Sequence, residues 1–156
     1  MSIATLDAAL VGLGVVVVDT SVWLAFVTTG DATHYLARHL FRRVAAENDP
    51  LHANASMVTA TEALVRPARA GTADLARMRA YLSRFPHLTL VPIDLEIAAA
   101  AAVVRARSGL KTPDALVVAS ALVHRADAIV SNDDAWEKRL GSTYPAIRWV
   151  GLYAHI

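Results

Sequence analysis

The 156-residue chain contains no cysteine, only two lysines and few charges of either sign. Without cysteine, a disulfide framework and thiolate chemistry are both excluded, and a reducing interior is permitted. Lys111 and Lys138 are the only lysines, and the rest of the 15 basic residues are arginine. Arginine suits bidentate phosphate contact, but an alanine- and arginine-rich composition is accounted for first by the base composition of a gene. Charged residues make up 19% of the chain and the formal net charge is +1, so bulk charge does not announce a nucleic-acid partner.

One long apolar stretch raises the question of a membrane. From Ala8 to Val27 the only charged residue is Asp19. No lysine or arginine precedes it, the first basic residue being Arg38, so the flank of a signal peptide is missing. Asp19 inside lipid would cost roughly 2.5–3.5 kcal/mol. The expectation is a protein with no membrane association and a cytoplasmic location. Hydrophobic residues make up 55%, enough for one folded domain with a single core.

Strand and helix signals alternate along the chain, and there is no internal repeat. Residues 1–14 read as a leader of uncertain order, 15–152 as a single domain and 153–156 as a C-terminal tail. Gly12 and Gly14 precede Val15–Val18, a β-branched run of the kind buried on both faces of a sheet. Asp31 is a candidate cap for a helix carrying Tyr35, Leu36, Leu40 and Val44 on one side. Asn48-Asp49-Pro50 ends it, and Leu51-His52-Ala53 is a weak strand candidate. Ser56 or Thr59 starts a helix expected to stop near Pro67. Thr72 to Arg84 reads as a helix, and Leu88 to Ile93 as a strand. Asp94 caps a helix closed by Gly109, and Thr112-Pro113 opens another. Ala128 to Val130 is a fourth strand, Asp134 to Leu140 a short helix, and Ile147 to Val150 a last strand. The alternation predicts an α/β fold with a parallel sheet covered by helices on both faces.

Ligands of open α/β sheets bind beyond the carboxyl ends of the strands. Asp19 closes the first strand at such an end, and Asp133 follows the fourth through Ser131-Asn132. Asp114 falls in the first turn of a helix, and Glu62 inside another. Singly, three of these have structural readings: a first-turn acid, a solvated helix residue, a helix cap. Asp19 resists that reading, because an acid after a buried valine run needs a partner and no basic residue lies near it in sequence. Carboxylates gathered in one cleft are stable together around cations, and hard oxygen donors suit Mg²⁺ or Mn²⁺. Such a centre is equipped for phosphodiester hydrolysis.

Four segments, in order, carry a resemblance: VVVVDTSVWLA, TATEALVRP, KTPDALVVASAL and AIVSNDDAW. Together they resemble the PIN-domain nucleases, and most closely the VapC-type toxins of bacterial toxin–antitoxin pairs, over about Val15 to Leu152. The resemblance implies a Rossmann-like three-layer α/β/α fold with five parallel strands. It makes Asp19, Glu62, Asp114 and Asp133 an acidic quartet, with Asp19 and Asp114 as primary metal ligands and Glu62 and Asp133 either completing the shell, partly through water, or positioning a second ion. Ser21 and Ser131 would order ligands or water. The implied activity is Mg²⁺- or Mn²⁺-dependent cleavage of RNA through in-line attack of a metal-activated water. The implied partners are RNA, a second copy of the chain and a VapB-type antitoxin whose C-terminal segment would block the cleft. Asp134 adjoins Asp133, which leaves two acids for one place; Asp133 follows the strand directly.

Arg66 and Arg69 stand four and seven positions after Glu62 and share a face with it if the helix continues past Pro67. With Lys111, three before Asp114, they are candidate RNA contacts, each with a solvated reading beside it. The six histidines share no metal-like spacing, and no pair of them suggests a metal-free acid–base ribonuclease. Trp23, Phe26 and Tyr35 read as core or interface residues. A haloacid-dehalogenase-like phosphatase also opens on an apolar strand ending in Asp, but it needs a second Asp where this chain has Ser21. A non-catalytic domain that keeps the acids for structure is the third alternative.

Overall fold

The computed structural model describes residues 2–156. Five short strands form one parallel sheet: β1 (Val15–Val18), β2 (His52–Ser56), β3 (Leu88–Val91), β4 (Ala128–Ser131) and β5 (Arg148–Gly151). Their order is β3-β2-β1-β4-β5, so β1 is central. The register sets Val16 opposite Ala53 and Ala128, and Val18 opposite Val130.

Alternation along β1 divides the core in two. Val16 and Val18 point to one face, where Leu36, Leu40, Phe41 and Trp23 pack. Val17 points to the other, with Ile97, Val104, Val118 and Trp136. The first face is covered by α1 (Ile3–Leu10), α2 (Thr20–Val27), α3 (His34–Val44), α4 (Met57–Ala70) and α5 (Thr72–Arg84). The second is covered by α6 (Leu95–Ser108), α7 (Thr112–Val123) and α8 (Ala135–Leu140). A parallel sheet must be covered on both faces, and the unbroken valine run of β1 follows from that. Among the described residues no helix is long and apolar enough to cross a membrane.

The chain adds β2 and β3 on one side of β1, then returns to lay β4 and β5 on the other. The order therefore reverses between β1 and β4, and the carboxyl ends of those two strands flank the crevice where such sheets bind ligands.

Several sequence expectations change. Most of the 1–14 leader is helix α1, and its Leu6 and Leu10, with Leu13 beyond it, are buried in the first core. Met1 of that leader lies outside the described residues. Asp7 accepts from Arg43 and faces His39 Nε2 at 2.8 Å, tying α1 to α3. No helix was assigned to 20–27, yet α2 is there, short and apolar on nearly all sides, with Asp19 as its N-cap. Asp31 does not cap α3 directly. It accepts from the amide and hydroxyl of Thr33, the residue that does precede the helix. Finally, α4 does not stop at Pro67 but runs on to Ala70. The proline removes one N–H from the ladder. The last turn is nonetheless closed by Gly71, whose amide bonds the Pro67 carbonyl at 3.1 Å and whose φ of 137° suits glycine alone.

Candidate active site

Asp19 leaves β1 with its amide still bonded to the Val130 carbonyl of β4, at 3.0 Å. It is only 8% exposed. A carboxylate so placed must be satisfied by donors, and hydroxyls supply them. Ser21 Oγ donates to Asp19 Oδ2 at 2.6 Å, and Ser131 Oγ donates to the same oxygen at 3.0 Å. As the N-cap of α2, Asp19 also meets the positive end of the helix dipole.

The two serines are themselves fixed from behind. Ser21 Oγ accepts the backbone amide of Asn132, and Ser131 Oγ accepts that of Asp133, both at 3.0 Å. The turn after β4 is thus stitched to the start of α2. Asn132 extends the seam: its Nδ2 donates to Thr33 Oγ1 at 2.9 Å, holding the α2–α3 loop against it. Its Oδ1 is buried with no hydrogen-bond partner among the described residues. Asp133 Oδ1 accepts the Ala135 amide at 2.9 Å and stays exposed.

Glu62 approaches from α4, where its Oε2 accepts the hydroxyl hydrogen of Thr20. Asp114 approaches from the first turn of α7, behind Pro113. Its carboxyl is held above the ordinary value of 3.8. Burial is the first cause, and the charges of Asp19, Asp133 and Glu62 follow in that order. Lys111 pulls the other way. Asp114 therefore sits within electrostatic reach of the other three acids predicted from the sequence. Asp134 turns aside instead, with Oδ1 3.0 Å from where a side chain on Gly151 would begin.

Among the described residues no three carboxylate or imidazole groups close into a ready-made metal cage. The donor chemistry still fits a hard divalent cation. All the converging groups are carboxylate oxygens, and one of them is destabilised as an anion by the others. A cation that keeps several of its waters and takes one or two carboxylates directly does not require a closed cage.

Of the basic candidates, Lys111 stands beside Asp114, while Arg66 and Arg69 are exposed on the same continuous helix as Glu62. Arg66 lines an apolar groove of about 560 Å³ formed by Leu24, Val27, Met78 and Tyr81. Trp23 is wholly buried, Phe26 half-buried and Tyr35 exposed. The sequence reading missed Thr20, Thr33 and Asn132. Thr20 lies inside the quoted DTS motif, but its bond to Glu62 crosses 42 positions and leaves no local mark.

In a doubly covered parallel sheet, the order reversal is where ligands bind, and here that crevice is lined by acids. The PIN domain family model matches residues 16–139, and the chain belongs to that family. Among solved structures, a toxin–antitoxin complex from Klebsiella pneumoniae is similar at 22% identity and TM-score 0.60, covering 85% of this chain and 95% of that one. The VapBC2 complex of Rickettsia felis, bound to a DNA fragment from its promoter, aligns at 14% identity and TM-score 0.63, covering 88% and 98%. VapC20 of Mycobacterium tuberculosis, a sarcin–ricin-loop-cleaving toxin, aligns at 19% and TM-score 0.63, covering 79% and 93%. At these identities the likeness establishes the fold. No curated protein matches the chain.

Proposed function

We propose that the protein is a Mg²⁺- or Mn²⁺-dependent endoribonuclease acting as the toxin of a toxin–antitoxin pair. What supports the proposal is the gathering of Asp19, Asp133 and Glu62 around Asp114 at the carboxyl edge of the sheet, where burial first and those three charges next raise the Asp114 carboxyl. A purely structural set of acids would be paired with cations, and here the lowering effect of Lys111 on Asp114 is outweighed by burial and the neighbouring acids. In this reading Asp19 and Asp114 hold the cation, and Glu62 and Asp133 complete its shell through water. When bound, the cation supplies a nucleophilic water and neutralises the phosphoryl oxygens. Ser21 and Ser131 keep Asp19 at one orientation, so no reorganisation is needed as charge develops. In this reading Lys111, Arg66 and Arg69 neutralise RNA phosphates.

RNA is preferred over other phosphodiesters because a structural neighbour with this fold is a sarcin–ricin-loop-cleaving toxin. The partner follows from the same comparison, since neighbours are toxin–antitoxin complexes. An antitoxin segment would find exposed Leu24, Val27 and Tyr81 beside half-buried Met78 in the groove, and Arg66 leads from there toward Glu62. The protein would act in the cytoplasm, as a homodimer and as a heteromer with its antitoxin.

Sequencing of RNA ends after induced expression tests the proposal. The wild type should arrest growth and create new 5′-phosphate ends at a defined site, and Asp19→Asn should do neither. Growth arrest by Asp19→Asn with the same RNA ends would overturn it.

A further inference from the structure

The hydroxyls at the start of α2 divide between two carboxylates. Ser21 serves Asp19, as described above. Thr20, the residue before it, turns away from Asp19 and donates its Oγ1 hydrogen to Glu62 Oε2. Thr20 is 8% exposed, and Thr59 Oγ1 lies 3.3 Å behind it with no exposure at all. Thr59 sits three residues before Glu62 on α4, one turn back on the same face. A buried threonine pair therefore clamps α2 to α4 next to an acid that is itself exposed.

Glu62, with one more rotatable bond than an aspartate, has more side-chain freedom for such a clamp to remove. Asp19 and Asp133 accept backbone amides, and the short side chain of Asp114 stands in the first turn of α7. Glu62 has a longer side chain, acts as a like charge on Asp114, and among the described residues Thr20 is its only hydrogen-bond donor. Without that donor, repulsion and side-chain entropy both favour a rotamer turned to solvent.

Resting on the nuclease reading above, we propose that Thr20 is a positioning residue: it holds the Glu62 carboxylate in the acidic crevice so that Glu62 contributes to the cation's shell. Its neighbour Ser21 does the same for Asp19, so the adjacent hydroxyls of the DTS segment orient two acids on different elements. Thr20→Val keeps the shape of the side chain and removes only the hydroxyl.

The test is a calorimetric titration of Mn²⁺ into the full chain, with RNA cleavage and melting temperature measured alongside. Thr20→Val should weaken Mn²⁺ binding about tenfold, in the range of losses when a ligand-orienting partner is removed. Thr20→Ser should restore binding to within about twofold. In a Glu62→Ala background, Thr20→Val should cause no further loss. Wild-type Mn²⁺ affinity in Thr20→Val would overturn the proposal and leave the nuclease reading intact. So would an undiminished effect of Thr20→Val in the Glu62→Ala background, because the hydroxyl would then act through something else. A wild type that neither binds Mn²⁺ nor cuts RNA would overturn the nuclease reading, and this proposal with it.

Discussion

Ser131 donates to the Asp19 carboxylate across 112 positions of chain while accepting the amide of Asp133, both at 3.0 Å. One hydroxyl thus links the acid that ends the central strand to the acid beyond its neighbour. Removing it frees both ends at once. Ser131→Ala should reduce divalent-cation affinity and RNA cleavage by about 10- to 100-fold. Ser131→Thr, which keeps the hydroxyl, should retain most of both. Titration of Mn²⁺ against each variant measures the difference. A fully active Ser131→Ala protein would show that Asp19 is oriented without it.

Asp114 should behave as a liability until a cation arrives. Its carboxyl is raised above 3.8 by burial and by three neighbouring acids. A raised acid favours the folded state while protonated and opposes it as pH climbs through the folded value. In metal-free protein the contribution of this group to stability should therefore be lost as pH rises from its ordinary value of 3.8 through the raised folded one. Asp114→Asn removes the charge, so it should raise the melting temperature of the metal-free protein by about 2–4 °C per kcal/mol of repulsion relieved. It should also abolish the upward shift that Mg²⁺ gives the wild type. Thermal scans with EDTA and with Mg²⁺ check both statements.

Asp127 should do the opposite. Its Oδ2 accepts the amides of Gly14 and Val15, at 2.8 and 2.9 Å, and so fastens the entry of β1. Those bonds hold its carboxyl below the ordinary 3.8, against the opposing effect of burial, and Arg148 adds to the lowering. A depressed acid contributes stability that is fully present above its unfolded value and is lost as pH falls through the folded one. Asp127→Asn should lower stability at neutral pH and flatten the loss of stability below about pH 4. Denaturant titrations at a series of acidic pH values would show it.

The leader is part of the core rather than an appendage. Leu10 is 1% exposed and packs in the cluster that holds Val16 and Val18. Leu10→Ala should cost about 2–5 kcal/mol in an unfolding titration. The exposed Val11→Ala, next along the chain, should cost little.

How much of this was legible in the sequence depends on the range of the interaction. Val15–Val18 announced a central strand because β-branched runs suit a sheet covered on both sides. The ends of the strands then placed Asp19 and Asp133 without any tertiary information. Asp94, Gly109 and Pro113 marked helix ends through local backbone rules, and α6 and α7 fall where those residues put them. What failed was local signal contradicted by packing. The order of residues 1–14 stays open in the sequence, because Leu6 and Leu10 carry a helical spacing that only their burial makes decisive. TSVWLAFV has no polar face, so periodicity could not reveal α2. Pro67 was read as a stop, but a proline late in a helix costs one hydrogen bond and the turn beyond it survives. The Thr20–Glu62 and Asn132–Thr33 bonds join segments distant in the chain, and no spacing rule reaches them.

The central claim is that the four converging acids hold a divalent cation for cutting RNA, and cleavage of RNA by the purified protein tests it most directly. With Mg²⁺ the wild type should cut, EDTA should stop the reaction, and Asp114→Asn should be inactive while remaining folded by thermal scan. Undiminished cleavage in EDTA, or by Asp114→Asn, would contradict the account.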